Sequence, residues 1–473
     1  MCSVNRIRLQ SITMMPVCHA PPAARNPPAC DVPGRVLLRR PPVAPPALLD
    51  ALPGHGPAVL ARAPGRVNLI GEHTDYNGLP VLPIAIDCDV RVAARRRDDQ
   101  RVDLANVDPA FAPRHYLLGP QLAPSPPGDW ANYHKAAAGA LVAELARRGA
   151  GGLPGGSFRV DGRVPAAAGL ASSSALLVAC GLAHLGLAGV ELPRSDLADL
   201  FARAERYVGT LSGGMDQAAA LLARAGEALR IDFFPLRTRP VPIPAEAAFI
   251  VAHSLERAEK SGAARGHYNQ RVTECALACA VLARRLGCAA AHLGDLAGPE
   301  PILADLDHLL PEETTRAALP ALTGIAGAEL GQRFFPAATA LACPDRFRLR
   351  ARVRHVLSEA ARVTAAEAAL HARDLRALGT LMDASHRSCA DDYGVSTSAL
   401  DRLVELARAG GALGARLTGA GFGGAIVALV ERGSVERVLQ MLDREFYVPR
   451  AAPRDARLVV RPAAGASLER LDR

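Results

Sequence analysis

The segment from Gly65 to Gly78, GRVNLIGEHTDYNG, places several charged and switchable side chains in one short loop. Glu72, His73 and Asp75 supply hydrogen-bond donors and acceptors, and the surrounding glycines permit tight turns. A polyol needs several such groups fixed at the same time, so this pattern favours a binding site for a sugar. The alternative is an ordinary polar surface loop. That interpretation would account for a single acidic pair, but it has to account for the whole run.

A run of small residues, Pro165 to Ala175, leads directly into an apolar segment that predicts a helix over Ala175–Leu187. Small residues let the backbone approach phosphate oxygens, and the free N–H groups and dipole of a helix N-terminus favour an anion. The run lacks the Gly-Lys-Ser/Thr of a Walker A loop. It therefore predicts a different phosphate loop, unless Ser172 simply caps the helix.

A glycine-rich run, Leu417 to Gly424, precedes the apolar segment Ala425–Val430, which predicts a buried strand. Glycines at such a position indicate that the backbone closely approaches a ligand or another loop. A bend required only for packing is the alternative.

Taken together and in this order, the three segments resemble the galactokinase branch of the superfamily that also contains the homoserine, mevalonate and phosphomevalonate kinases. The resemblance runs almost continuously from about residue 55 to 450, and its first segment is specific to sugar kinases. Shorter matching runs are Trp130–Tyr133, Gly213–Gln217, Tyr268–Arg271, Ser385–Cys389 and Asp391–Tyr393.

The resemblance implies ATP-dependent transfer of the γ-phosphate, with Mg²⁺, to the anomeric hydroxyl of an aldose, galactose being the first choice. Asp216 matches the family's catalytic aspartate, which accepts the hydroxyl proton. Arg66 matches its catalytic arginine, which offsets charge on the reacting groups and holds Asp216 ionised. The alternative for Asp216 is a helix cap that follows Gly213 and Gly214.

The same resemblance carries over the family's binding residues position by position. The positions that match sugar ligands are Glu72, His73, Asp75, Gly214 and Tyr268. The positions that match the nucleotide site are Gly169, Leu170, Ser172, Ser173, Ser174, Ala175 and Trp130. Ser174 and Glu205 match the magnesium ligands. Tyr268 and Trp130 could also be core aromatics, Glu205 could be an exposed helix charge, and Ala171 replaces a serine that is frequent in the family.

The sequence leaves the sugar open between galactose and N-acetylgalactosamine. The segment from Ala204 to Asp216 and the run Asn269–Val272 look more like an N-acetylgalactosamine kinase, whereas Tyr268 agrees with galactokinases. A non-catalytic galactose and ATP sensor is the alternative from another class. The retained Arg66 and Asp216 argue against it, and the Thr-Asp after Glu72 and His73 argues against a mevalonate kinase.

The elements that hold these segments alternate between short strands and alanine-rich helices, which predicts a mixed α/β (α+β) fold. Predicted strands are Gly156–Val164 and Ala247–His253, and predicted helices include Asp196–Val208 and Asn269–Leu286. The resemblance implies a ribosomal-S5-like N-terminal and a ferredoxin-like C-terminal domain, with the active site between them. The expected divisions are a disordered Pro-rich extension over residues 1–50, a sugar- and ATP-binding domain over 51–238 and a C-terminal domain over 239–473.

The amino-acid composition excludes some classes of binding partner from our expectation. The net charge is +8, and nearly all of the positive side chains are arginines. No aromatic residues are interleaved with the longest basic run, so we do not expect a nucleic-acid partner. No apolar run is long enough to predict a membrane span, and the ten cysteines contain no CxxC pair. This cysteine usage fits a reducing cytoplasm. The resemblance implies that the partners are a small-molecule sugar and ATP, and we expect a monomer.

Overall fold

The computed structural model describes residues 44–54, 56–209, 213–256, 263–335, 345–453 and 456–471. The predicted extension over residues 1–50 lies mostly outside this range. Its last residues form a helix, Pro45–Asp50, in which Leu48 is fully buried in a small cluster with Leu52 and Ala93. The predicted limit at residue 50 is therefore wrong by several residues, because Leu48 packs into the folded part.

The bounds of the regular elements are as follows. The helices are α1 (Pro45–Asp50), α2 (Ala131–Arg147), α3 (Ser172–Ala188), α4 (Arg194–Ala204), α5 (Met215–Leu222), α6 (Ala263–Leu286), α7 (Pro299–Ala304), α8 (Leu306–Leu309), α9 (Leu319–Thr323), α10 (Gly327–Phe334), α11 (Leu349–His371), α12 (Leu375–Ser388), α13 (Ser398–Ala409) and α14 (Val435–Leu442). The strands are β1 (Ala58–Asn68), β2 (Pro83–Arg96), β3 (Arg101–Asn106), β4 (Arg114–Leu117), β5 (Gly156–Gly162), β6 (Glu227–Asp232), β7 (Arg237–Pro242), β8 (Ala247–His253), β9 (Thr314–Thr315), β10 (Arg346–Phe347), β11 (Gly414–Thr418), β12 (Ala425–Glu431), β13 (Arg457–Val460) and β14 (Ser467–Leu471).

The larger sheet has the strand order β14-β1-β2-β5-β3-β4, and its neighbours are antiparallel except for the parallel pair β3 and β5. Helix α3 packs on β1 and β2 and is apolar on nearly every face, because α2 and α5 cover the sides that the sheet leaves open. The C-terminal strand β14 returns to pair with β1, with Leu471 opposite Ala58. The last segment of the chain thus completes the sheet that holds the first motif.

The second sheet, β11-β12-β8-β13, is antiparallel, and α12 and α13 pack against it. Every residue of β8 is buried, which explains its uninterrupted apolar sequence. The mixed α/β prediction is confirmed. The predicted domain boundary between residues 238 and 239 stays a prediction. Arg239 itself lies inside β7, which forms a hairpin with β6.

Three predicted helices have different ends in the structure. Helix α6 begins at Ala263 rather than at the predicted Asn269. Helix α3 begins at Ser172 rather than Ala175, since the three serines already adopt helical conformation. Helix α4 ends at Ala204, and a 3₁₀ turn, Glu205–Val208, replaces the last part of the predicted helix Asp196–Val208. Among the described residues, no helix combines the length and the apolar character that a membrane span requires.

Candidate active site

Arg66 joins two of the three motifs. It lies near the end of β1, just after a register shift between Pro64 and Arg66, and it is 1% exposed. Its Nε and Nη2 atoms lie 2.8 and 2.7 Å from Oδ1 of Asp216, and Nη1 donates to the carbonyl of Gly169 at 2.6 Å. One guanidinium therefore contacts both a buried carboxylate and the loop that precedes α3.

Asp216 lies in the first turn of α5. The N-cap of that helix is Gly214, with φ 110°, and no side chain caps it. The interpretation of Asp216 as a helix cap is therefore wrong, because its carboxylate pairs with Arg66. The positive φ of Gly214 lies in the region that favours glycine, which explains the residue type.

The phosphate loop ends at Ala171, the N-cap of α3, which has left-handed backbone conformation and no side-chain cap. The capping alternative for Ser172 is therefore wrong. Gly169, with φ 77°, lies so close to the third motif that a Cβ would stand 2.8 Å from the carbonyl oxygen of Thr418. A Cβ on Gly419 would likewise stand 2.7 Å from the carbonyl oxygen of Gly169. The predicted residues Gly169, Leu170, Ser172, Ser173, Ser174 and Ala175 thus form one loop and helix start.

The predicted magnesium ligands lie together. Oγ of Ser174 donates to Oε1 of Glu205 at 2.6 Å, and both side chains are buried. Nε2 of Gln217 approaches the same hydroxyl at 3.4 Å, while its buried Oε1 has no hydrogen-bond partner among the described residues. Mg²⁺ is usually held by one or two carboxylates together with substrate phosphates, so this oxygen-rich donor set fits it. Glu205 is not an exposed helix charge.

Asp75 lies against the loop that leads into α5. Its Oδ2 accepts hydrogen bonds from the N–H of Gly213 at 3.1 Å and from that of Met215 at 3.5 Å. Burial, together with the nearby Asp216, raises the pKa of Asp75 to about 6. The two carboxylates that the sequence assigned to sugar and catalysis are thus close enough to interact.

His73 and Tyr268 also come together, with their ring centroids 5.7 Å apart. His73 has φ 63°, an uncommon conformation for a non-glycine residue. Burial is the largest of the effects that lower its pKa well below the usual value, although the Ala420 carbonyl favours the charged form. Nε2 of His73 is buried and has no hydrogen bond of normal geometry among the described residues. It is a polar atom that a ligand would satisfy.

Glu72 is held by the protein itself. Its Oε2 accepts from Nδ2 of Asn68 at 2.5 Å and from Nη1 of Arg416 at 2.9 Å, and its Oε1 accepts from the N–H of Gly419. Arg416 is fully buried and also donates to the carbonyl of Asn68. Two donors already occupy Oε2, so a contact between Glu72 and a sugar would have to use Oε1.

Sequence reasoning missed the buried groups beneath this loop. Glu359, on α11, accepts hydrogen bonds through Oε1 from the N–H groups of Gly71 and Glu72 and from Ser385. Burial would raise the pKa of Glu359, but Arg362, Arg416 and other donors outweigh it and lower that pKa to about 2. The available signal was Arg416, a charged residue in the apolar strand that precedes the third motif.

Trp130 lies in the N-terminal core. It is 8% exposed, its indole N–H donates to the carbonyl of Ala112 at 3.0 Å, and its ring contacts Phe111 edge to face. This placement agrees with the core-aromatic alternative. A role of Trp130 in nucleotide binding stays a prediction.

Three family models match the chain. The galactokinase galactose-binding signature matches residues 52–96, the GHMP kinases N terminal domain residues 132–224, and the GHMP kinases C terminal model residues 366–448. The first model covers the sugar loop. The second covers the phosphate loop, Glu205 and Asp216, and the third includes the glycine-rich run near Thr418.

Characterised relatives and solved structures agree with these models. The galactokinase of Chloroflexus aurantiacus is 40% identical over 418 residues, which cover 88% of this chain and 94% of that protein. The galactokinase of Dictyostelium discoideum is 33% identical over 435 residues, 83% of this chain and 85% of that protein. The structure of Lactococcus lactis galactokinase complexed with galactose matches with a TM-score of 0.71 and 28% identity, covering 87% and 95% of the two chains. The chain therefore belongs to the galactokinase family of the GHMP kinases.

Proposed function

We propose that this protein is a galactokinase that transfers the γ-phosphate of ATP to the anomeric hydroxyl of galactose. The observation that carries the proposal is the position of Arg66, which contacts the carboxylate of Asp216 on one side and the phosphate loop at Gly169 on the other. The proposed proton acceptor, Asp216, and the proposed phosphate-binding loop thus contact the same guanidinium. Phosphoryl transfer needs this kind of positioning and charge neutralisation more than covalent chemistry.

Each residue has a defined part in the proposed reaction. The carboxylate of Asp216 takes the proton of the attacking hydroxyl, and Arg66 keeps that carboxylate oriented toward the loop. The first N–H groups of α3, at Ser172 to Ser174, have no intrahelical partner and hold phosphate oxygens. Asp75, His73 and Tyr268 surround the sugar hydroxyls.

Ser174 and Glu205 would hold Mg²⁺. When bound, the ion would neutralise phosphate charge. Glu205 orients the Ser174 hydroxyl through their 2.6 Å hydrogen bond, and Gln217 approaches the same hydroxyl from another side. Replacing Glu205 by Gln should therefore raise the Mg²⁺ concentration at half-maximal rate.

Galactose is the proposed sugar. The matching signature is a galactose-binding one, the relatives named above are galactokinases, and the Lactococcus lactis structure contains galactose. Tyr268, the residue that agrees with galactokinases, packs beside His73 and Tyr76 in the candidate site. This agreement supports galactose over N-acetylgalactosamine.

A coupled ADP-release assay tests the proposal with galactose, N-acetylgalactosamine, arabinose, galacturonate and mevalonate. We expect galactose to have the highest kcat/KM, and Asp216→Asn to lower kcat by about 100- to 10,000-fold, the usual contribution of a general base. Galactose binding to Asp216→Asn, measured by calorimetry, controls for folding. No turnover of any sugar would refute the kinase, and faster turnover of N-acetylgalactosamine would change its substrate.

We propose further that the protein acts as a monomer in the cytoplasm. Six cysteines among the described residues are free, and five of them are buried, which suits a reducing compartment. Sedimentation equilibrium across the assay concentrations should give a single mass near 49.5 kDa. A concentration-dependent mass would contradict the monomer.

A further inference from the structure

A chain of three hydrogen bonds leads from His73 away from the sugar loop. Nδ1 of His73 lies 2.9 Å from the hydroxyl of Tyr76, which lies 2.7 Å from the hydroxyl of Tyr393. The hydroxyl of Tyr393 lies 3.1 Å from Sγ of Cys275, on α6. His73, Tyr393 and Cys275 are buried, and Tyr76 is partly buried. The proposed reaction uses none of the last three residues.

All four groups are neutral near pH 7. Burial raises the pKa of both tyrosines well above the usual value and raises the pKa of Cys275 to about 11. Burial also lowers the pKa of His73 well below the usual value. The imidazole therefore has one proton, and the hydrogen bond at Nδ1 decides which nitrogen carries it.

The direction of the chain follows from the strengths of its donors and acceptors. A phenol is a better proton donor than a neutral imidazole N–H, and an imidazole nitrogen is a better acceptor than a phenol oxygen. The hydroxyl of Tyr76 therefore donates to Nδ1 of His73. The oxygen of Tyr76 can then accept from Tyr393, and the oxygen of Tyr393 from the thiol of Cys275.

At the far end of the chain, Sγ of Cys275 lies 3.1 Å from the hydroxyl of Tyr393, and the thiol has one proton that it can donate to that oxygen. The chain thus places the imidazole proton on Nε2 of His73, the atom that has no partner of normal geometry among the described residues.

We propose that Tyr76, Tyr393 and Cys275 are positioning residues that fix His73 as a neutral donor, with its Nε2–H directed at a hydroxyl oxygen of the sugar. The inference rests on the proposed function only for the identity of the ligand. The tautomer itself is a property of the free protein. A buried N–H selects a group with a lone pair, so a deoxy sugar that lacks the facing hydroxyl binds poorly.

The tautomer is tested without any enzymatic reaction. Nitrogen-15 spectra of the unliganded protein, with labelled histidine, distinguish a protonated from a bare ring nitrogen at each of the 13 histidines. The variant His73→Gln assigns the resonances of His73. We expect protonated Nε2 and bare Nδ1 in the parent protein, and a mixture of tautomers in Tyr76→Phe. Protonated Nδ1 in the parent protein would overturn the inference, whatever the protein phosphorylates.

Kinetics test the consequence. The loss of one hydrogen bond of ordinary strength corresponds to about a three- to tenfold change, so Tyr76→Phe should raise KM for galactose by that factor and change kcat by less than about twofold. Tyr393→Phe and Cys275→Ala should have smaller effects on KM in the same direction. Cys275→Ser, which keeps a donor, should restore the parent KM.

Matched variants separate this effect from general damage to the fold. Cys279→Ala removes another buried thiol one turn along α6, and Tyr447→Phe removes a buried hydroxyl that donates to the carbonyl of His253. Both should leave KM and the His73 resonances unchanged. If Tyr76→Phe changed neither of these more than the control variants do, the chain would be only structural and the inference wrong.

Discussion

Two carboxylates of the same loop, Glu72 and Asp75, occupy opposite electrostatic surroundings. Glu72 is met by Arg416, by the amide of Asn68 and by a backbone N–H of the third motif. Asp75 is buried beside Asp216, and its carboxylate is contacted by the backbone N–H groups of Gly213 at 3.1 Å, Met215 at 3.5 Å and Tyr76. Glu72, whose charge is balanced by Arg416, anchors the loop. Asp75, whose pKa is raised, remains available to a ligand.

The same contrast separates the two histidines of this region. His355 donates through Nε2 to the carbonyl of Glu72 at 3.0 Å, and its Nδ1 lies 2.9 Å from the hydroxyl of Ser388. Within the described residues, His73 makes a hydrogen bond of normal geometry at Nδ1 but not at Nε2. The buried groups beneath the loop, Glu72, Glu359, His355 and Arg416, form what we call the floor of the site, and each of them is hydrogen-bonded within the protein. Nε2 of His73 has no such partner of normal geometry among the described residues.

The largest effect should follow from removing the cation of the floor. Arg416→Met leaves Glu72 and Glu359 buried without their shared partner, which should reduce the free energy of unfolding by about 3–5 kcal/mol. Urea unfolding followed by circular dichroism measures it. The double variant Arg416→Met, Glu72→Gln should recover part of the loss. A loss below about 1 kcal/mol would mean that the floor does not depend on this pair.

On the other side of the comparison, neutralising Asp75 should stabilise the protein. Its pKa is raised from 3.8 to about 6, so the folded state binds the extra proton between these values and wild-type stability falls as the pH rises through them. Asp75→Asn should therefore be more stable by about 3 kcal/mol above pH 6, with no gain below about pH 4. Thermal unfolding at pH 4.0 and 7.5 measures the difference. Equal differences at the two pH values would contradict the raised pKa.

The affinity for galactose should depend on pH through the same carboxylate. Ionised Asp75 accepts sugar hydroxyls and the protonated form accepts them less well, so the Kd should be about tenfold weaker at pH 5 than at pH 8. Calorimetric titration with galactose alone measures it without turnover. Asp75→Asn should bind galactose weakly and with little pH dependence. A steep dependence that persists in this variant would assign the effect to another group.

The smallest effect is expected within the satisfied floor. Ser388→Ala removes the partner of Nδ1 of His355, a neutral hydrogen bond worth about 1 kcal/mol of stability. KM for galactose should not change, since the Nε2 contact with Glu72 remains. Thermal unfolding and the galactose assay report the two quantities. An increase of KM above about threefold would show that the two sides of the loop are not independent.

Much of the candidate site was predictable from the sequence because its chemistry is local. The loop from Gly65 to Gly78 contains its own polar groups and turns, and the small residues before α3 form a helix N-terminus from adjacent residues alone. The buried strand β8 was predicted with its observed bounds, since a short apolar run between breakers has few other solutions.

Local sequence patterns do not indicate long-range pairs. Asp216 and Arg66 are 150 positions apart, and only the resemblance to the family implied that they act together. Arg416 and Glu72 are 344 positions apart, and this pair was not predicted. The helix limit at Val208 failed for a related reason. A continuous helix and a helix that ends in a 3₁₀ turn have the same spacing of apolar residues, so the sequence does not distinguish them. In the structure the 3₁₀ turn begins at Glu205, which is hydrogen-bonded to Ser174.

The sequence by itself determined the kind of ligand, the order of the three motifs and the mixed α/β composition, because these depend on residue types and short spacings. Only the tertiary structure decided which polar groups are satisfied. It surrounded Glu72 with donors and left Nε2 of His73 without a normal hydrogen-bond partner among the described residues. The physical reason is that burial and pairing depend on neighbours from distant parts of the chain, and these fix the charge and the donor or acceptor role of each group.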